Sequence, residues 1–155
     1  MIKRRIILAI ITVVLFASCT GKASLKDGYY TAEAREFDIE GWKEYVTICV
    51  TAGKIIHIEY NAVNPSGFVK SWDMDYMRCM NAAMGTYPNA YTRYYAAQAL
   101  KMQGTDGIDC LTGATNSYNS FRALTDAAII NSQQGVSETK LVDFQQNRAS
   151  VPTIQ

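Results

Sequence analysis

The sequence predicts an α+β fold, a small antiparallel sheet with three helices packed on it, in one domain behind a secretory-type signal peptide. Three observations carry that expectation. Two runs with apolar residues at every second position, 45–50 and 55–60, flank Thr51-Ala52-Gly53-Lys54, the pattern of a tight hairpin in which Gly53 takes a positive φ. Beyond residue 70 the apolar spacing lengthens to three or four, in three segments separated by Gly or Pro. The chain is 155 residues long and 48% apolar, enough for one domain and one core.

The N-terminus opens with Lys3, Arg4 and Arg5, runs almost entirely apolar over 6–16, and ends in small residues before Cys19. This is a lipoprotein signal peptide, 1–18, too short for a membrane span. Leu15-Phe16-Ala17-Ser18-Cys19 looks like a lipobox, with Leu15 one position upstream of its favoured place. Cys19 is then the lipidated new N-terminus, and several acyl chains give stable anchoring; ordinary cleavage with an unmodified Cys19 is the alternative. Removing 1–18 takes three of the 15 basic residues and none of the 14 acidic ones, so the formal charge falls from +1 to −2. A surface of that balance points to no nucleic-acid partner and no polybasic grip on lipid headgroups.

Residues 19–26 read as a polar tether, and the fold is expected to span 27–134. Residues 29–34 form a first strand. In the hairpin, alternation places Val46, Ile48 and Val50 on one face and Ile56, Ile58 and Tyr60 on one face, the expected core. The opposite face receives His57, Ile55 and Glu59. His57 is the single histidine, and with no metal set or triad around it, it reads as a partly exposed strand residue. Cys49, Cys79 and Cys110 show no C-x-x-C spacing, which leaves zinc and iron–sulfur sites without support; one disulfide, for example Cys49 to Cys79, is permitted outside the cytoplasm.

Asn64-Pro65-Ser66-Gly67 forms a turn. Trp72, Tyr76, Met80 and Met84 then recur every four residues in a helix that Gly85 ends. Met80 and Met84 read as core, while Trp72 and Tyr76 are candidates to flank a planar ring. Pro88 opens a second helix with Tyr91, Tyr94, Tyr95, Gln98 and Met102 along one side, where tyrosines bury rings and wet hydroxyls. A third helix follows residue 115, with Phe121, Leu124 and Ala128 on its buried side, Ala127 and Ile130 beside them, and Gly135 after its end. Residues 135–155 lack a period and read as a loosely packed tail.

Function concentrates in Asp109-Cys110-Leu111-Thr112-Gly113-Ala114-Thr115. Two small residues between two hydroxyl residues at a helix start leave backbone N–H groups and the positive dipole end open to a phosphate. Taken singly, Thr112 or Thr115 could be a simple N-cap, a reading that leaves Asp109, Gly113 and Ala114 unexplained. No Walker or dinucleotide glycine motif occurs, and no nicotinamide fingerprint or acid–base pair is evident.

Asp-x-x-[Ser/Thr]-Gly-Ala-[Ser/Thr] resembles the flavinylation motif of the FMN-binding domain family, which includes membrane-anchored lipoproteins and peripheral subunits of sodium-pumping and Rnf-type respiratory complexes. Its [ST]-G-A-[ST] core arises by chance in roughly one random chain in a hundred of this length. The similarity continues through Asp27-Gly28-Tyr29-Tyr30-Thr31-Ala32-Glu33-Ala34, Gly41-Trp42-Lys43, Gly53-Lys54-Ile55 and Lys70-Ser71-Trp72-Asp73, and covers about residues 27–131. The resemblance implies that a flavin transferase esterifies FMN onto the Thr115 hydroxyl. Thr112, Gly113 and Ala114 would form the phosphate-side loop, and Asp109 would serve transferase recognition or the transferase's metal. The expected function is an extracytoplasmic, membrane-tethered electron carrier rather than an autonomous oxidoreductase, between a membrane donor and an extracytoplasmic acceptor. The alternatives are a non-covalent FMN protein or flavin reductase, and a cofactor-free surface lipoprotein for binding or adhesion.

Overall fold

The computed structural model describes residues 23–144. The signal peptide and Cys19 lie outside the described residues, as do 145–155. Four strands, β1 (Gly28–Ala34), β2 (Lys43–Thr51), β3 (Lys54–Val63) and β4 (Lys140–Val142), form one sheet in the order β3-β2-β1-β4. Three helices, α1 (Met74–Met84), α2 (Pro88–Met102) and α3 (Thr115–Gln134), complete the expected α+β architecture.

The β2–β3 hairpin turns on Ala52 and Gly53, with φ of 51° and 71°. Both central residues are left-handed, as a two-residue turn matched to strand twist requires. Five of the six expected hairpin core residues are buried: Val46, Ile48, Val50, Ile58 and Tyr60. Ile56 is not; it is 54% exposed, while Ile55 is buried in its place. The cause is a bulge. Cys49 pairs with His57 but Val50 pairs with Ile55, so Ile56 is the extra residue and strict alternation fails at that point. His57 and Glu59 face solvent as expected, whereas Cys49 is buried.

α2 and α3 cover one face of the sheet. Tyr60, Tyr91, Tyr95 and Phe121 meet there, with Tyr60 and Phe121 ring centres 5.0 Å apart and Tyr95 stacked on Phe121 at 5.5 Å. Leu124 and Ala128 complete the α3 contact, and Ile129 is buried where Ile130 remains 48% exposed. Thus Tyr91 and Tyr95 are core residues, and Met102 at 46% exposure is not.

Both ends of the domain are tighter than the sequence suggests. Leu25 packs on the core, the Lys26 N–H donates to Ser132 O at 3.0 Å, and Lys26 Nζ donates to Gln134 O at 2.9 Å. A lysine on the last carbonyls of α3 complements the negative end of its dipole, so the tether does not extend to residue 26. Residues 140–142, expected in a loose tail, pair in parallel with Ala32–Ala34 of β1. Three residues are too few to display a period in sequence. The sheet therefore carries one parallel edge beside its antiparallel pairs.

Candidate functional site

The loop 109–114 and the start of α3 are held from below by tyrosines. The Tyr95 hydroxyl accepts the Leu111 N–H at 3.1 Å and donates to Ala114 O at 3.4 Å. Tyr118 donates to Ile108 O at 2.8 Å, with its ring 5.6 Å from that of Tyr95. Burial pushes the Tyr95 hydroxyl up to about 12, so it stays a neutral hydrogen-bonding strut through the physiological range.

Gly113 has φ +80°, and a Cβ there would come within 2.5 Å of Met84 O. Only glycine combines that backbone with that approach. The motif loop consequently abuts the C-terminal end of α1, where Gly85 closes the helix at φ 71°.

Thr115 is the first residue of α3; its N-cap is Ala114, and no side chain caps the helix. The N-cap reading of Thr112 and Thr115 is thereby corrected: neither hydroxyl caps this helix. The first helical bond runs from the Tyr118 N–H to Ala114 O, leaving the amides of Thr115, Asn116 and Ser117 at an open, electropositive end. Thr115 is exposed, with Cys110 Sγ 3.7 Å from its Oγ1. Cys110, Cys79 and Cys49 are free thiols, so the permitted Cys49–Cys79 disulfide is not formed.

Thr115, Ala114 and Gly113 line a cleft of about 690 Å³, a volume suited to a cofactor-sized ligand. Its opposite wall is α1, through Tyr76, Met80 and Met84. No residue of α1 is fully buried, and Met84 is 56% exposed. The expectation that Met80 and Met84 are core holds for one of them: Met80 is half-buried and packs against the core, whereas Met84 is exposed at the cleft. Tyr76 faces the cleft as a ring-flanking residue would, whereas Trp72 lies outside it at 65% exposure. Asp109 and Thr112 are exposed on the loop and do not line the cleft.

The cleft also contains residues that were given no role in the sequence, among them Glu40, Glu44 and Lys70. Glu40 sits on a loop fixed by Asp38, whose Oδ1 accepts the Glu40 and Trp42 N–H groups at 2.9 and 2.8 Å. It accepts a hydrogen bond from the Tyr76 hydroxyl at 2.7 Å, joining this loop to α1. Glu44 belongs to the helix-covered face of β2, in phase with Val46 and Ile48; a carboxylate in an apolar phase was the available signal. The Tyr60 hydroxyl lies 2.6 Å from Glu44 Oε1 and 2.8 Å from Ser117 O. Burial raises the Glu44 carboxyl above its ordinary value, against the hydrogen bonds from Ser120 and Tyr60 and the charge of Lys70. A protonated Glu44 can donate to Tyr60 while Tyr60 donates to Ser117 O, which satisfies both acceptors with two protons.

A second, smaller cleft of about 220 Å³ lies between β3 and α2 and contains none of the motif residues. Among the described residues, no group of three or more His, Cys, Asp or Glu could hold a metal ion, and no helix is long and apolar enough to cross a membrane.

No protein-family model matches the chain. It is 33% identical over 130 residues to the 15 kDa lipoprotein of Treponema pallidum (strain Nichols), a match covering 84% of this chain and 92% of that protein. It also resembles the crystal structure of the CPE2226 protein from Clostridium perfringens, with a TM-score of 0.75 and 36% identity, over 78% of this chain and 99% of that one.

Proposed function

The chain belongs to the family of the 15 kDa lipoprotein, and from that premise we propose that it is a membrane-tethered extracytoplasmic flavoprotein that carries electrons through FMN esterified to Thr115. A lipid-anchored, membrane-associated protein is what the family name describes; Cys19 is the residue assigned to carry the lipid. The observation that supports the flavin is positional: an exposed threonine hydroxyl stands at an uncapped helix N-terminus on the wall of a cleft of about 690 Å³.

The residues fit the group in three respects. A phosphate at Thr115 meets the free amides at the start of α3. Gly113 lets the loop close against Met84 O of α1 beside the attachment point, and Ala114 lines the cleft next to Thr115, with Thr112 exposed on the same loop. Tyr76, Met80 and Met84 offer flat and polarisable surfaces across the cleft. Asp109, exposed beside the motif, is open to a flavin transferase.

Charge gives a reason for the covalent bond. The cleft holds Asp38 and Glu40, with Glu44 raised toward its neutral form, against one cation, Lys70, a balance that disfavours a freely dissociating phosphate dianion. Esterification removes one of the phosphate's ionisable groups and with it part of that repulsion. It also frees retention from mass action, which matters where free FMN is scarce. Bound FMN supplies a ring that accepts and passes electrons. The chain shows no adjacent acid–base pair at the motif for turnover of its own, which favours a carrier between a membrane donor and an extracytoplasmic acceptor.

Production with a flavin transferase, followed by denaturing electrophoresis under ultraviolet light, tests the assignment. The wild type and Thr115→Ser give a fluorescent band; Thr115→Ala gives none. A colourless wild type would support the cofactor-free binding reading instead, and a flavin lost on denaturation would support a non-covalent one.

A further inference from the structure

Lys70 is an anomaly within the cleft. Its side chain is only 8% exposed, and its ammonium keeps just the solvent contact that the cleft gives it, so an acceptor arriving there replaces little water. Among the described residues the ammonium makes no hydrogen bond. Glu40 Oε2 stands 3.8 Å from Nζ, beyond hydrogen-bonding reach. Glu44 feels the Lys70 charge as well, and two ring faces flank the ammonium, Tyr76 at 4.7 Å and Trp42 at 5.6 Å from centroid to Nζ. Those faces attract and hold the charge without accepting a conventional hydrogen bond. Lys70 lines the cleft and is the sole cation among its lining residues. Three N–H donors, fixed by two aromatic rings and opening on a ligand-sized space, form a preorganised receptor for an acceptor-rich group.

Resting on the reading of Thr115 as the flavin attachment point, we propose that Lys70 is a second, non-covalent contact for the flavin, meeting the N1–C2=O edge of the isoalloxazine and stabilising negative charge there. The assignment follows from what remains unmatched. The phosphate is provided for by Thr115 and the start of α3, and the dimethylbenzene end of the ring has no acceptor to offer. The pyrimidine carbonyls are the groups that require a donor. Glu40, bonded to Tyr76 and ion-paired with Lys70 at 3.8 Å, fixes the nearer of the two rings without taking a hydrogen bond from the ammonium. Lys70 is thus a positioning and potential-setting residue, separate from the attachment chemistry.

Sulfite is the probe for this contact. Its sulfur lone pair bonds to flavin N5 and moves an electron pair onto N1–C2=O, so sulfite affinity reports positive charge held at that edge with no redox partner involved. Flavin-loaded wild type, Lys70→Met and Lys70→Arg are compared after mass measurement confirms loading and thermal melts confirm folding. Lys70→Met is expected to weaken sulfite binding about tenfold, with Lys70→Arg retaining most of the affinity. Equilibration with a reference dye is expected to shift Lys70→Met toward oxidised flavin by about tenfold, or roughly 30 mV for a two-electron couple. Should Lys70→Met fold poorly, Lys70→Gln removes the charge at similar length and carries the same comparison. Unchanged sulfite affinity in a loaded, folded, uncharged variant overturns the role of Lys70 and leaves Thr115 standing. A wild type that takes no flavin overturns both.

Discussion

Glu44 illustrates how a single side chain in the cleft couples to stability. Its folded-state carboxyl is raised above its ordinary value, chiefly by burial. Folding therefore favours the protonated form, and this contribution is complete below the ordinary carboxylate range and lost as pH rises through the raised value. Glu44→Gln keeps an acceptor for Tyr60 and removes the charge. Its melting temperature should exceed that of the wild type near pH 7, with the gap closing toward about pH 4; a constant gap across thermal melts would contradict the burial argument. Alternation already put Glu44 in phase with Val46 and Ile48, so its placement was legible. The same cannot be said of Lys70, because nothing local marks which lysine two distant rings will enclose.

At the scale of elements, β3 and α1 each depart from their own periodicity for a definable reason. In β3 the bulge opposite Cys49 and Val50 exchanges the roles of neighbouring isoleucines. Ile55→Ala should cost about 2–5 kcal/mol, as for a buried aliphatic, while Ile56→Ala should lie within about 0.5 kcal/mol of wild type. Urea denaturation of the pair checks this directly, and equal costs would mean that simple alternation holds. In α1 the four-residue stripe, the Asp73 cap bonded to the Tyr76 N–H at 2.9 Å and the Gly85 stop are all sequence-encoded. What the stripe faces is not, since the gap beneath it depends on where the β1–β2 loop and the start of α3 stand.

For the whole molecule, the two ends of the domain are joined to its centre. Lys26 sits on the end of α3, and β4 closes the sheet edge against β1, with Val142 and Phe144 packed on the core. Val142→Asp should destabilise the domain by about 1–3 kcal/mol, because it sets a charge against that core. Arg35→Ala should cost no more than about 1 kcal/mol, since its partner Asp143 is exposed. Comparative chemical melts separate the two outcomes, and equal costs would show that the surface pair rather than burial holds the edge.

The sequence by itself determined the class of fold, the hairpin and its Gly53 turn, three helices with most of their ends, and the motif that ends in Thr115. These are local properties, set by spacing and by residues with restricted backbones. Tertiary structure alone decided the bulge, the parallel edge strand, the open face of α1 and the enclosure of Lys70. Each of these depends on groups distant in sequence meeting across a space, and periodicity carries no information about what lies on the far side.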